Sequence, residues 1–94
     1  MWILYLIQHS KTKELYMGVT NDLKKRLIIH NRGKSKYTKR IDGEWILIYA
    51  EAYRSKFDAF KRESRLKQHG NAKRELKKRI VKSFLEVKSG AGQA

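Results

Sequence analysis

At 94 residues the chain has room for one small domain with a modest core, and without cysteine it has neither disulfides nor thiolate metal ligands. Lys and Arg total 23 against 9 Asp and Glu, a formal charge of +14, which predicts a polyanionic partner; cations and aromatic residues interleave through helical patterns, which favours a folded nucleic-acid surface over a membrane surface. No apolar run approaches the roughly 20 residues of a membrane span. The opening MWILYLIQHS has neither a basic leader nor a small-residue cleavage site, so it reads as a strand, and a cytoplasmic protein is expected.

In chain order, WILYLI (2–7) is an almost continuous apolar run, as in a strand buried on both faces. A polar turn leads to LYMGVT (15–20), the second arm of a predicted antiparallel hairpin. Tyr16, Gly18 and Thr20 share one face of that arm. A helix is expected from about Asp22 to Asn31, capped by Thr20 or Asn21, with Leu23 and Leu27 inward, Arg26 and His30 four apart beside them, and Gly33 as a stop. A basic loop, GKSKYTKRIDG, precedes a third strand, EWILIYAEAY (44–53). Ser55 opens a second helix with Asp58 in its first turn, an inward stripe of Phe57, Phe60, Glu63, Leu66 and Lys67, and Gly70 as its end. A third helix is expected over 72–87, leaving 88–94 as a frayed tail of a single domain spanning 1–87. The order β-β-α-β-α-α predicts an α+β fold with a small three-stranded mixed sheet flanked by helices.

A carboxylate on a greasy stripe is costly unless its charge has a partner. For Glu63 the plain partner is Lys67, one turn on, or the nearby Lys61 or Arg62. Plain readings also exist for the others: Tyr5 and Tyr16 as half-buried sheet aromatics, Arg26 as an apolar-covering surface arginine, His30 as a helix C-terminal cation. All five can nevertheless point to one end of the same small sheet.

The spacing resembles the paired signature of the GIY-YIG nuclease superfamily: Ile3-Leu4-Tyr5, about ten residues, then Tyr16-Met17-Gly18. The first triplet keeps only its Tyr, and the second has Met for Ile. GVTNDLKKRL is similar to the family's strand-to-helix junction, with Arg26 at its arginine and His30 four residues later. KRESRLK resembles the segment that carries the metal-binding Glu, here Glu63. The likeness covers roughly residues 2–80 and resembles small single-domain members, similar to the nuclease module of excision repair.

The resemblance implies a Mg²⁺- or Mn²⁺-dependent endonuclease that hydrolyses DNA phosphodiester bonds, with one ion on Glu63. Mg²⁺ needs few protein carboxylates because it keeps several waters and takes phosphate oxygens. Arg26 would contact the phosphate with its planar fork, Tyr5 would orient water or phosphate, and either His30 or Tyr16 would take the water's proton. Two departures are Val19, where some members have Lys, and Glu75, where some have Asn; nearby Asn71 is given no role. Backbone contacts are expected from Gly18, Lys24, Lys25, Arg32, Lys34, Lys36, Lys39 and Arg40 on one side and Arg62, Lys67, Lys73 and Arg74 on the other, with Tyr37 placed to stack on an unpaired base. Selectivity for DNA shape or strandedness is expected over sequence reading, with single-stranded, duplex and branched DNA all left open, since no major-groove recognition helix or zinc module is evident. Neither a membrane nor a small-molecule substrate is expected. The alternatives are a non-catalytic nucleic-acid-binding module on the same fold and an RNA- or ribosome-associated basic protein.

Overall fold

The computed structural model describes residues 1–32 and 43–85. The elements run β1 (Trp2–His9), β2 (Leu15–Thr20), α1 (Leu23–Asn31), β3 (Trp45–Tyr53), α2 (Lys56–Gln68) and α3 (Gly70–Arg79), followed by a single 3₁₀ turn at Val81–Ser83. This is the α+β order read from the sequence. The expected tail, 88–94, lies outside the described residues.

The sheet has the order β2-β1-β3, and both pairings are antiparallel. A mixed sheet was the expectation, from strands that do not alternate strictly with helices, and the β2–α1–β3 crossover does leave those two strands pointing the same way. β1 lies between them, however, so they never pair. This also explains the apolar run: β1 is the central strand and Leu4 to His9 are buried on both faces. On one face Tyr5, Ile7 and Trp45 form a cluster covered by Leu23 and Leu27 of α1. On the other, Leu4 and Leu6 pack with Leu66 of α2, Leu76 of α3 and Ile80.

A bulge in the β1–β3 pairing falls at Leu6/Ile7, where Leu6 faces Tyr49 but Ile7 faces Leu47. The extra residue, Ile48, joins Tyr49 on the α2–α3 face. Such a slip flips every later side chain, and it turns Tyr49, Glu51 and Tyr53 toward α2.

Three helix boundaries differ from expectation. Asp22 itself caps α1, its carboxylate accepting the Lys25 N–H at 3.0 Å, while Thr20 Oγ1 accepts the Asp22 N–H at 3.1 Å. Gly70, expected to end the second helix, is instead the first residue of α3. α3 closes at Arg79 instead of continuing to 87; the chain is extended at Phe84, and the Leu85 N–H donates to buried Gln8 at 2.7 Å. Ser55 caps α2 as expected, accepting the Phe57 N–H at 3.1 Å. The inward stripe of α2 is corrected: Ala59 and Leu66 are its buried residues, and Phe57 and Phe60 are 81% and 42% exposed. No described helix is long and apolar enough to cross a membrane.

Candidate active site

β1 and β2 set Tyr5 opposite Gly18, and α1 lies over that face. The C-terminal end of α1 is fastened to β3 by Asn31, whose side chain donates to the Trp45 carbonyl at 3.1 Å and accepts the Trp45 N–H at 2.7 Å. One amide thus imitates a strand neighbour and holds the adjacent His30 against the sheet. The sequence reading passed over Asn31; its only signal was an amide side chain at the end of a helix.

His30 is fully buried and Tyr5 is 1% exposed. The Tyr5 hydroxyl and His30 Nε2 are 2.9 Å apart, and Arg26 Nε donates to the same hydroxyl at 3.4 Å. Because Arg26 can only donate, the Tyr5 proton is available for His30 Nε2. Burial, and then the neighbouring Arg26 charge, hold the His30 imidazole down to about 4, so the ring is neutral near pH 7. Burial pushes the Tyr5 phenol up against the opposing Arg26 hydrogen bond. Bonding to Tyr5 raises the proton affinity of Arg26 despite its partial burial, and Tyr16 adds to the effect. Tyr16 closes the group, its ring centroid 4.9 Å from that of His30 and 6.3 Å from that of Tyr5.

Four of the five expected catalytic residues therefore meet, in two layers. Tyr5 and His30 form a buried pair. Arg26 and Tyr16, both half-buried, stand in front of it. The fifth, Glu63, is on α2, and its carboxylate accepts from Lys67 Nζ at 3.1 Å, one of the three local partners read from the sequence. It reaches the group through charge, as one of the influences raising Tyr5. Lys67, on the same side of α2, lines a groove of about 260 Å³ together with Tyr16, Met17 and Lys73. The Glu63 turn thus approaches the edge of β2 that carries Tyr16.

The expected backbone contacts divide. Lys24, Lys25 and Arg32 are exposed on and just beyond α1, and Lys67 and Lys73 border the groove. Arg74 donates to Asn71 at 3.3 Å. Arg62 is engaged elsewhere: Nε and Nη2 meet the Glu51 carboxylate at 3.0 and 3.1 Å, and the Tyr49 and Tyr53 hydroxyls donate to the same carboxylate. Burial pushes Glu51 up, but the Arg62 and tyrosine bonds outweigh it and hold the carboxylate below its ordinary value. Arg62 is thus a structural cation, not one offered to phosphate. Gly18 also differs from expectation, because the space beside it is filled by the Tyr5 ring and not left open to a phosphate. Lys34, Lys36, Lys39, Arg40 and Tyr37 lie outside the described residues.

Among the described residues no group of three or more His, Cys, Asp or Glu side chains could hold a metal ion. A lone half-buried carboxylate suits a hard cation that completes its shell with water and phosphate oxygens, and it does not suit a closed zinc-type cage.

The family model described as the GIY-YIG catalytic domain matches residues 1–87. A UPF0213 protein of Vibrio campbellii is 33% identical over 93 residues, covering 99% of this chain and 86% of the relative. The UPF0213 protein YazA of Bacillus subtilis is 37% identical over 89 residues, 90% of this chain and 89% of its own. A UPF0213 protein of Bacillus velezensis is 43% identical over 79 residues, 80% and 79% of the two chains. No solved structure matches. With the match spanning the hairpin tyrosines, the α1 arginine and the α2 glutamate together, the chain belongs to the GIY-YIG family of nuclease domains.

Proposed function

We propose that the protein is a divalent-metal-dependent endonuclease that hydrolyses DNA phosphodiester bonds and selects strandedness or branching over sequence. The observation that carries the reading is the Tyr5–His30–Arg26–Tyr16 group on a chain of charge +14. Exposed Lys24, Lys25 and Arg32 supply affinity without reading bases.

The two layers divide the work. Arg26 reaches forward to the scissile phosphate while its Nε–H remains on Tyr5, so the guanidinium is oriented before substrate arrives. Tyr16 is the half-exposed phenol of the group and the better placed to meet the attacking water; acting as the phenolate, with its own proton already given up to solvent, it would take the water's proton. His30 is excluded from direct contact with that water by its burial, and because its ring stays neutral near pH 7 its Nε2 can accept the Tyr5 hydroxyl proton. Of the two bases left open by the sequence, Tyr16 is therefore the one we assign. Glu63 would hold the cation, exchanging Lys67 for it, and the bound Mg²⁺ or Mn²⁺ would stabilise charge on the phosphate and the leaving oxygen.

The test is cleavage of labelled single-stranded, duplex and branched DNA with Mg²⁺, Mn²⁺ or EDTA. Glu63→Gln should lose at least about 100-fold in rate, as expected when a principal source of charge stabilisation is removed, yet still bind DNA in EDTA. Cleavage that persists in EDTA or in Glu63→Gln overturns the mechanism. Binding with no turnover under any metal would favour the non-catalytic module, for which the pairing of Glu63 with Lys67 is the specific observation.

A further inference from the structure

Phe57 is 81% exposed and Phe60 42% exposed, on a helix whose buried residues are Ala59 and Leu66. The Trp2 ring lies 6.3 Å from that of Phe60, tilted by 48°, and Lys56 Nζ sits 5.4 Å from the centre of the Trp2 ring. Exposing large rings one turn apart at a helix start is unfavourable unless something covers them. Arg54, Lys56 and Lys61 are exposed in the stretch of chain that carries Phe57 and Phe60, whose single acid is Asp58. Aromatic faces framed by cations suit unpaired bases on a phosphate backbone, because every base offers a π-face and the cations take the phosphates.

The ledge is also continuous with the site. Phe60 precedes Glu63 by about 4.5 Å along the α2 axis and Phe57 by about 9 Å, at 1.5 Å rise per residue. Trp2 extends the row from the start of β1, on the sheet face that α2 covers.

We propose that Trp2, Phe57 and Phe60 form a stacking ledge that holds unpaired nucleobases of the bound strand next to the scissile phosphate. The proposal rests on the nuclease reading for its placement, but the ledge binds independently of cleavage. A duplex keeps its bases stacked on one another and cannot use the ledge, so the ledge is the source of a preference for unpaired DNA.

The experiment measures binding of a 5′-labelled oligothymidine and of a duplex of equal length, both in EDTA, to the wild-type chain, to Phe57→Ser and to Phe57→Ser/Phe60→Ser. Stacking is worth roughly 5- to 150-fold in affinity per base. The double variant is therefore expected to lose at least about tenfold for the single strand and little for the duplex, and Trp2 fluorescence should be quenched by the single strand. Phe57 is so exposed that its replacement does not threaten folding; circular dichroism and melting check the double variant. Equal losses for both DNAs, or none, overturn the ledge. So does a wild-type dimer that Phe57→Ser converts to monomer with single-strand affinity unchanged, which would make the surface an interface between copies. Ledge-dependent binding without cleavage under any metal would instead overturn the nuclease mechanism and leave the ledge standing.

Discussion

Gly18 and Tyr5 face each other across the β1–β2 pair so closely that a Cβ on Gly18 would stand 2.6 Å from the Tyr5 hydroxyl oxygen and 2.9 Å from its Cζ. The glycine is there because the phenol needs its space. That hydroxyl is also the atom shared by His30 and Arg26. Gly18→Ala should therefore displace the ring, costing about 1–3 kcal/mol as overpacking does, and should reduce cleavage by more than tenfold because Arg26 loses its anchor. A Gly18→Ala protein with wild-type melting and turnover would show that the ring can move without consequence.

His30 gives a pH dependence with a definite sign. Its imidazole is held down to about 4 in the fold, against an ordinary value near 6.5. The unfolded chain therefore binds a proton between those values and the native chain does not. Stability from this group is complete above about pH 6.5 and falls as pH drops toward 4, by at most about 3 kcal/mol. Urea unfolding at pH 7, 5.5 and 4.5 should show the decline, and His30→Gln should flatten this part of it. For the same reason the turnover profile should show no acid limb near 6.5 due to His30; a limb there that disappears in His30→Gln would contradict the assignment.

The Glu51 cluster predicts a stability loss without loss of a catalytic group. Arg62→Ala leaves the Glu51 carboxylate half-buried between the Tyr49 and Tyr53 hydroxyls without its cation. Losing the charged hydrogen bonds should cost about 2 kcal/mol, seen as a lower urea midpoint. Burial, with Glu51 as acceptor, pushes Tyr53 up to about 12, so an ultraviolet titration of tyrosines in Arg62→Ala should differ from the wild type at its alkaline end. An unchanged urea midpoint would mean that Arg62 is free to serve the nucleic acid after all.

The elements were legible because their signals are local. An apolar run, an N-cap at Ser55 and leucines four apart in the first helix each declare themselves within a few residues. Tyr5, Tyr16, Arg26 and His30 were legible through their spacing. What escaped depends on relations between distant residues. The bulge at Leu6/Ile7 shifts β3 by one residue, and only that shift aims Glu51 at Arg62; neither residue is distinctive where it stands in the sequence. The antiparallel sheet likewise depends on which strand takes the middle. Phe57 and Phe60 misled for the opposite reason: their helical spacing matched a buried stripe, but Ala59 is the residue that faces the sheet, where a small side chain lets α2 approach.

Arg26 separates charge from geometry. Arg26→Lys keeps the positive charge but loses the Nε–H donated to Tyr5 and the planar fork that matches phosphate oxygens. Its salt dependence of DNA binding should therefore stay near wild type, while turnover falls by about 100-fold, the range for loss of a placed donor in a transition state. Exposed Lys24 should do the reverse: Lys24→Ala removes one phosphate contact and lowers the logarithmic salt slope on duplex DNA by about 0.9. Measuring both quantities in both variants distinguishes the two roles. Were Arg26→Lys to cut at the wild-type rate, the Tyr5–Arg26 bond would be packing alone and the guanidinium no more than one cation among 23.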